Sequence, residues 1–353
     1  MIDTLQQWKN SGRFIDWQGH QVFVVDSADQ DPAAGEKPAL LLVHGYPTST
    51  WDFSHLWPQL SARFRVVGAD LLGLGFSSKP RPHRYCMAEQ ADLMEFVQQH
   101  SGIEKCHVLA HDYGDTVVQE LLARDLRRTQ SRYRSVILLN GGLFPETHHA
   151  RPMQKLMAGP LGPLLAYLTS RKKLLGTFSS VFGAKTQPDE PTLEAVWQLV
   201  NYHNGLHVLP PLLGYIAERR QFRERWVKAL REARMPLALV NGSADPVSGA
   251  HMVARFREVV GTQHFIRELP GIGHYPQLSQ RISQPGKVRA IEKHLPVVNA
   301  EDFVHPVPEE VRPVGHRHAY FAKRHFRAVP IRPFRSGHRT DLRKTLETVR
   351  RGI

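Results

Sequence analysis

Three ionisable side chains, Asp112, Asp245 and His274, each lie just after a short apolar run that is typical of a buried strand. A carboxylate, a second carboxylate and an imidazole in this chain order can perform nucleophilic catalysis. The first attacks the substrate, the imidazole acts as base, and the second carboxylate orients the imidazole. Because the carboxyl ends of parallel strands meet at one edge of a sheet, we expect the three side chains to lie close together.

The candidate nucleophile Asp112 lies in the segment VLAHDYGD, which starts at Val108. Small residues stand two positions before it (Ala110) and two positions after it (Gly114), and a helix is predicted to begin at once. This is the layout of the nucleophile elbow, with Asp where Ser usually stands, and its tight turn excludes larger flanking side chains. A helix N-terminus also stabilises an ionised carboxylate. The alternative is a simple helix N-cap, the commonest role of Asp after a strand.

The other two members of the predicted triad leave one choice open. Asp245 follows the strand-like run PLALV, and His274 follows the run HFIREL and the turn PGIG. Asn140, which follows the run SVILL, is a rival for the third position. An amide carries no charge to stabilise an imidazolium, so the sequence favours Asp245 over Asn140.

The elements that must position these residues alternate between strands and helices, which predicts an α/β fold with a mostly parallel sheet covered by helices on both faces. We expect eight strands in all. Helices are predicted over residues 50–60, 87–100, 114–125 and 287–295. The clear strand-like runs are Gln21 to Asp26, Ala39 to Val43, Phe64 to Ala69, Cys106 to Ala110, Ser135 to Leu139, Pro236 to Val240 and His264 to Leu269.

One region interrupts this alternation. From Phe144 to about Arg231 there are only apolar helical patches, such as residues 156–168 and 193–202, which predicts a helical cap inserted over the sheet. We therefore expect a core built from residues 1–143 and 232–296, a cap over residues 144–231, and a C-terminal extension over residues 297–353. The extension is rich in Pro, Arg and His, and we do not assign it to the core.

Composition narrows the classes of protein that the chain could belong to. The formal net charge is +13, but the last 57 residues carry twelve Lys or Arg against six Asp or Glu. A nucleic-acid partner is therefore not expected, because a basic tail is usually a solvated segment. The sequence has only two cysteines, and it contains neither an apolar run that could span a membrane nor the apolar core of a secretory signal. These features lead us to expect a cytoplasmic protein.

Several longer motifs resemble one known family. The strings HGYP from His44, HDYG from His111 and GH at His274 are similar to the aspartate-nucleophile branch of the α/β-hydrolases, which contains epoxide hydrolases and haloalkane dehalogenases. The strings HDYGD, RPHRY, FPETH and HYPQL resemble most closely the sub-branch formed by the mesoderm-specific transcript protein and its bacterial relatives. The resemblance covers about residues 20 to 296.

The resemblance implies a mechanism in which Asp112 forms an alkyl ester and His274, oriented by Asp245, activates water against that ester. It implies an oxyanion site formed by the backbone N–H groups of Tyr46 and Tyr113. The mechanism needs no metal and no organic cofactor. His44, in the turn before Tyr46, belongs to the same expected substrate site, whose partner is a small apolar organic molecule.

The leaving group of the substrate separates the remaining hypotheses. An epoxide hydrolase needs phenol groups to donate to the ring oxygen; Tyr215 is the first candidate, and Tyr167 or Tyr202 is the second. A haloalkane dehalogenase needs an indole or amide N–H for halide, and Tyr113 and Tyr46 occupy the nearest positions instead. A fluoroacetate-type enzyme would need Arg at position 113. Epoxide opening is therefore favoured over dehalogenation, and a non-catalytic interaction protein with a retained fold is the third hypothesis.

Overall fold

The computed structural model describes residues 4–283, which form a single eight-stranded sheet in the order β1-β2-β4-β3-β5-β6-β7-β8. Strands β3 to β8 pair in parallel, whereas β1 with β2 and β2 with β4 pair antiparallel. The predicted α/β fold with a mostly parallel, eight-stranded sheet is thereby confirmed. The strands are β1 (Gly12–Trp17), β2 (His20–Asp26), β3 (Ala39–Val43), β4 (Arg65–Ala69), β5 (Cys106–His111), β6 (Tyr133–Leu139), β7 (Leu237–Gly242) and β8 (Phe265–Leu269).

The central strands are almost entirely buried because helices cover both faces of the sheet. All six residues of β5 and all six of β7 are buried. The helices are α1 (Leu5–Asn10), α2 (Trp57–Arg63), α3 (Met87–His100), α4 (Tyr113–Asp125), α5 (Pro152–Met157), α6 (Gly162–Tyr167), α7 (Arg171–Ser179), α8 (Glu190–Asn201), α9 (Leu209–Leu212), α10 (Tyr215–Gln221), α11 (Arg223–Arg231), α12 (Ala250–Val259) and α13 (Pro276–Ser283).

Between β6 and β7 the chain forms helices α5 to α11, which we call the helical insertion. Its last helix, α11, packs against α4, the helix that follows Asp112. Glu120 of α4 accepts two hydrogen bonds from Arg225, both at 2.9 Å, and one from the indole N–H of Trp226 at 2.8 Å. This buried carboxylate therefore ties the helical insertion to the element that carries the elbow.

A few elements of the structure differ from those that the sequence predicts. Strand β1 was not predicted, because its residues are only half buried and give a weak alternation. The helix expected over residues 50–60 is a short 3-10 turn (Thr50–Phe53) followed by α2, and Pro58 stands in the first turn of α2. Likewise, α5 and α6 are separate helices, because Gly159 and Pro160 lie between them. The helix expected over residues 287–295 and the extension over residues 297–353 lie outside the described residues.

Candidate active site

Asp112 stands in the sharp turn between β5 and α4. Its backbone has φ 49° and ψ −106°, a left-handed conformation that is costly for a residue with a side chain. A Cβ atom at Gly114 would lie 2.3 Å from the carbonyl oxygen of Val43, so only glycine fits there. The Asp112 side chain makes no capping hydrogen bond to α4. The N-cap alternative is therefore wrong, and the turn has the geometry of a nucleophile elbow.

The two carboxylate oxygens of Asp112 have different neighbours. Oδ2 accepts a hydrogen bond from the backbone N–H of Tyr46 at 3.2 Å. Oδ1 lies 3.7 Å from Nε2 of His274. Tyr113 is the first residue of α4, so its backbone N–H lies at the free N-terminal end of that helix, directly after Asp112. One oxygen is thus held by the backbone, while the other faces the imidazole.

His274 is oriented from its other side by Asp245. Its Nδ1–H donates to Oδ2 of Asp245 at 2.7 Å, so Nε2 is the nitrogen that faces Asp112. The same Oδ2 accepts from Nδ2 of Asn140 and from Oγ of Ser248, each at 2.9 Å. Asn140 and Asp245, the two rivals for the third position, therefore meet in one network. Asp245 is the residue that contacts His274, as expected.

The charges of this network shift the pKa values of its members. Burial by itself would raise the pKa of Asp112, but hydrogen bonding and charge from His274, with the charge of Arg219, bring it well below its usual range. Burial would lower the pKa of His274, but Asp245 and Asp112 outweigh burial and raise it to about 10. Two buried carboxylates therefore stabilise an imidazolium at neutral pH.

The loop of His274 is held by hydrogen bonds that sequence patterns do not reveal. His111 donates from Nε2 to the carbonyl oxygen of His274 at 2.8 Å, and the N–H of His274 donates to the carbonyl oxygen of Val181 at 2.8 Å. Val181 belongs to the helical insertion, between α7 and α8. The base is therefore positioned by both the sheet and the insertion.

A cavity of about 110 Å³ lies in front of Asp112 and His274, and most of its walls are apolar. The helical insertion forms much of the wall. Charged side chains from the insertion, Arg151 and Lys173, also contribute to the lining. The lining residues are Tyr46, Pro47, Asp112, Arg151, Met153, Gln154, Met157, Thr169, Lys173, Leu174, Thr177, Phe178, Val181, Leu209, Val247, His274 and Tyr275.

Of the tyrosines expected in the cap, Tyr215 lies nearest to Asp112. It is fully buried, and its ring packs 5.1 Å from that of Tyr113 and 6.5 Å from that of Tyr46. Burial and the nearby charge of Asp112 raise the pKa of its hydroxyl, which therefore stays protonated. Tyr215 lies behind Tyr46 and Tyr113 and is not among the residues that line the cavity.

Three other expected substrate-binding residues lie elsewhere. Tyr167 is 74% exposed on α6, where its ring contacts His207, so the expectation that it binds substrate beside Asp112 is wrong. Tyr202, the other candidate, packs against Phe76 at 5.1 Å between ring centroids and does not line the cavity. Helical periodicity alone could not tell which face of these helices is turned towards the sheet.

His44 is also placed differently from our expectation. Its side chain is fully buried, and its Nε2 accepts from the backbone N–H of Leu71 at 2.9 Å. Nδ1 consequently donates to the carbonyl oxygen of Gly45 at 2.8 Å. Burial lowers the pKa of His44 and keeps the ring neutral. His44 fixes the turn that carries Tyr46 and does not contact the cavity.

Two further residues near Asp112, Arg219 and His148, were not predicted from the sequence. Arg219 is fully buried; Nε donates to Oγ1 of Thr116 at 2.8 Å, and the guanidinium lies 4.5 Å over the ring of Tyr215. Its Nη1 lies 3.4 Å from Nδ1 of His148, whose pKa is lowered to about 3 by burial and by Arg219. The spacing of four residues between Tyr215 and Arg219 puts both on one helix face, which was the available signal.

Among residues 4–283, we found no group of three or more His, Cys, Asp or Glu side chains arranged to hold a metal ion. In the same part of the chain, every helix is too short or too polar to cross a membrane.

The fold and the elbow geometry define an α/β-hydrolase. The family model of the α/β hydrolase fold matches residues 38–280, and the chain belongs to this family. It is 38% identical over 283 residues to the mouse mesoderm-specific transcript protein, covering 78% of this chain and 84% of that protein. It is 39% identical over 280 residues to the putative hydrolase LipZ of Mycobacterium tuberculosis, covering 78% of this chain and 93% of LipZ.

Solved structures show the same fold at lower sequence identity. The haloalkane dehalogenase DbeA of Bradyrhizobium elkani superimposes with a TM-score of 0.62 at 19% identity, covering 80% of this chain and 99% of DbeA. An α/β hydrolase fold protein of Burkholderia ambifaria superimposes with a TM-score of 0.64 at 20% identity, covering 80% of this chain and 97% of that protein.

Proposed function

We propose that the chain is a hydrolase that uses Asp112 as nucleophile and opens epoxides through an alkyl ester intermediate. The observation that carries this proposal is the unequal environment of the Asp112 carboxylate. Oδ2 is held by the Tyr46 N–H at 3.2 Å, and Oδ1 faces His274 Nε2 at 3.7 Å beside a mainly apolar cavity. A low pKa keeps this carboxylate ionised, which is what a nucleophile requires.

In the first step, Oδ1 of Asp112 attacks a ring carbon of the epoxide. The carbon–oxygen bond to the ring oxygen breaks, and a hydroxyl group forms on the substrate as a proton donor supplies a proton. The charge on Asp112 disappears as the ester forms. The Tyr46 N–H then lies beside the ester carbonyl oxygen, where it stabilises the oxyanion of the second step.

In the second step, water attacks the carbonyl carbon of the ester while His274 takes its proton. The bond between that carbon and Oδ1 then breaks, and Oδ1 leaves with the product as it takes the proton from His274. The imidazolium of the resting enzyme is stabilised by Asp245 and Asp112 together. Ester formation neutralises one of these two anions, so the pKa of His274 falls, its Nε2 proton passes to solvent, and the neutral imidazole becomes a competent base. Asp245 keeps Nε2 directed at the ester throughout.

Tyr215 supports an epoxide as the substrate. Its hydroxyl stays protonated, and its ring is packed against the two tyrosines that flank Asp112. We propose His148 as the second donor in place of Tyr167 or Tyr202, because it stacks on Tyr215 with 6.2 Å between ring centroids. Arg219 faces Nδ1 of His148, so that nitrogen is the acceptor and Nε2 carries the proton. Tyr215 and His148 are thus two neutral donors on which the charge of Asp112 acts, and both are packed behind the residues that line the cavity.

A haloalkane is the alternative substrate class. Halide sites in such enzymes use indole or amide N–H groups, and among the described residues that line the cavity there is neither Trp nor Asn. Gln154 is the one carboxamide side chain in that lining, and it lies on the helical insertion. We therefore rank epoxide opening first. We also propose that residues 144–231 act as a cap that shapes the substrate site over a core of residues 1–143 and 232–296.

The experiment is intact-protein mass spectrometry of a His274→Gln variant incubated with a mixed panel of epoxides and haloalkanes. Removing the base stops ester hydrolysis, so we expect a covalent adduct whose mass equals that of the whole epoxide. An adduct that lacks the mass of a hydrogen halide would identify dehalogenation instead. A variant that also carries Asp112→Asn is the matched control and should stay unmodified.

A second measurement tests the route of water. In a single turnover of the unsubstituted protein in ¹⁸O-labelled water, the label should enter the peptide that contains Asp112, because water attacks the ester carbonyl and the product keeps an oxygen of Asp112. Label found only in the diol would overturn the nucleophilic role of Asp112. No adduct across the panel, together with no labelled peptide, would leave the non-catalytic interaction protein as the better hypothesis.

A further inference from the structure

Most of the large apolar side chains that the structure leaves exposed are concentrated on two helices of the insertion. Seven large hydrophobic side chains are exposed among the described residues, and five of them lie between residues 156 and 168. The exposed fractions of these five side chains range from 48% to 74%. Single exposed apolar residues are ordinary, but a contiguous group marks an interaction surface. We call this group the apolar patch; it consists of Leu156, Leu161, Leu164, Tyr167 and Leu168.

The spacing of the patch residues shows that they form one surface. Leu161, Leu164 and Leu168 are separated by three and four residues, which places them along one face of α6 and its flanks. Ala166 lies on the opposite face and is buried. Leu156 belongs to α5, which packs against α6. The helix pair therefore buries one face in the protein and leaves the other, apolar face uncovered.

The sequence segment that contains the patch carries charges of a single sign. From Thr147 to Pro188 the sequence contains no Asp or Glu, whereas it contains six cationic side chains: Arg151, Lys155, Arg171, Lys172, Lys173 and Lys185. Arg171 is paired with Glu190 and Glu194 of the next helix at 2.9 and 2.8 Å. Within residues 4–283, no carboxylate lies at ion-pair distance from Lys172 or Lys173. The segment that carries the apolar patch thus also carries exposed cations, Lys172 and Lys173, that have no ion-pair partner among the described residues.

The same segment forms the wall of the catalytic cavity. Met153, Gln154 and Met157 of α5, together with Thr169 and Lys173 next to and on α7, line the cavity in front of Asp112. Lys173 and Thr177 also line a neighbouring hollow on the surface, together with Lys172. The cavity wall and the exposed surface of α7 that carries these lysines therefore share residues.

We propose that the apolar patch and its surrounding cations dock the protein onto an anionic lipid surface. Exposed leucines and a tyrosine enter the boundary between headgroups and acyl chains, while lysines and arginines beside them contact anionic headgroups. This docking brings the helices that wall the cavity against the bilayer, where apolar molecules are concentrated. It does not depend on the reaction proposed for Asp112.

Charge favours a lipid surface over a second copy of the chain as the occupant. A symmetric dimer through this patch would bring each group of cations close to its own copy, and like charges at an interface oppose association. An anionic bilayer has the complementary charge.

The test is flotation of the full chain with vesicles of phosphatidylcholine alone and with vesicles containing about 30% phosphatidylglycerol. We expect binding to the anionic vesicles that weakens in high salt, because surface potentials are screened. Leu164→Asp/Leu168→Asp should lower the vesicle partition coefficient at least about tenfold, because it removes two inserting side chains and adds two negative charges. An Asp112→Asn variant should bind like the unsubstituted protein.

The matched control is Phe14→Asp/Phe265→Asp. These residues are 42% and 41% exposed on β1 and β8, the two edge strands, so the control removes two exposed apolar side chains and adds the same charge away from the patch. It should keep vesicle binding. Leu156→Ser/Leu161→Ser is a second patch variant, and thermal unfolding verifies that every variant is folded.

Three outcomes would overturn the proposal. The first is failure of the unsubstituted protein to bind anionic vesicles. The second is equal binding by the patch variants and the control, which would assign binding to another basic segment such as residues 297–353. The third is a dimer of the unsubstituted protein, measured by light scattering, that becomes a monomer in the patch variants; the patch would then be a subunit interface.

Discussion

Nη2 of Arg219 lies 3.4 Å from the backbone carbonyl oxygen of Asp112. Arg219 belongs to α10 of the helical insertion, and Asp112 belongs to the turn after β5, so a buried cation from one part of the chain is positioned at the elbow of the other. Thr116 and the ring of Tyr215 hold the guanidinium in place. The insertion thus forms part of the cavity wall. It also supplies a charge that acts on the candidate nucleophile.

Replacing Arg219 should change the pH dependence of ester formation. Burial raises the pKa of Asp112, whereas the hydrogen bond and the charge of His274 lower it. The positive charge of Arg219 lowers the same pKa further. Arg219→Met should therefore raise the pKa of Asp112, and adduct formation should begin at a higher pH. We also expect about a tenfold lower rate, because a charge aimed at the reacting group is lost.

The readout is the pH profile of adduct formation in a His274→Gln background. Arg219→Lys keeps the charge and should restore most of the profile. A loss of rate with no displacement of the acid limb would contradict an electrostatic effect of Arg219 and would indicate a purely structural one.

The pKa of His274 should fall when Asp112 loses its charge. In the native protein Asp245 and Asp112 together raise this pKa to about 10 against the effect of burial. Asp112→Asn removes one anion, which makes the imidazolium less stable and lowers the pKa. The measurement is a nitrogen-15 NMR titration of the histidine rings, and an unchanged midpoint for His274 would argue against the proposed coupling between ester formation and activation of the base.

An acidic residue at position 140 should partly replace Asp245. Asp245→Ala should lower the rate of ester hydrolysis by about 10² to 10⁴, because His274 loses its orientation and its stabilising charge. Nδ2 of Asn140 lies 2.9 Å from Oδ2 of Asp245, so Asn140→Asp places a carboxylate in the same network.

The double variant Asn140→Asp/Asp245→Ala should hydrolyse the ester faster than Asp245→Ala alone, as measured by the decay of the adduct in single turnovers. Asn140→Ala/Asp245→Ala, which supplies no carboxylate, is the control. Equal decay in the two double variants would show that the end of β6 cannot support His274.

Glu120 should contribute measurably to the free energy of unfolding. Its carboxylate binds Arg225 and Trp226, and its removal would leave the buried ends of these side chains without their acceptor. We expect Glu120→Ala to lower the free energy of unfolding by about 3 kcal/mol near neutral pH, measured by denaturant titration. Glu89→Ala, which removes a carboxylate on α3 that is bound to His83 nearer the surface, should cost much less.

The contribution of Glu120 to the free energy of unfolding should depend on pH in a definite direction. Burial would raise the pKa of Glu120, but hydrogen bonds from Arg225 and Trp226 lower it below the ordinary value of 4.5. A depressed pKa in the folded state means that the stabilisation is present above pH 4.5 and is lost as the pH falls through the pKa of the folded state. The difference in the free energy of unfolding between Glu120→Ala and the unsubstituted protein should therefore become smaller at acidic pH.

The sequence by itself determined the mostly parallel sheet and the segments that form its strands from β2 to β8, but not the order in which those strands pair. The run at β3 is wholly apolar and those at β5 and β7 are mostly so, as burial on both faces requires, and Ala110 and Gly114 mark the tight turn around Asp112. Because parallel strands bring their carboxyl ends to one edge, the positions of Asp245 and His274 beside Asp112 could be anticipated from local patterns alone.

Only the tertiary structure decided which residues of the insertion face Asp112. Tyr167 and Tyr215 are both candidate proton donors in the sequence, yet Tyr167 is exposed and Tyr215 is buried against Tyr46 and Tyr113. Arg219 and His148 come from separate elements and meet only through packing. Strand patterns repeat every two residues and mark both faces of a strand, whereas the orientation of a helix over a sheet depends on contacts with distant residues, which local sequence does not encode.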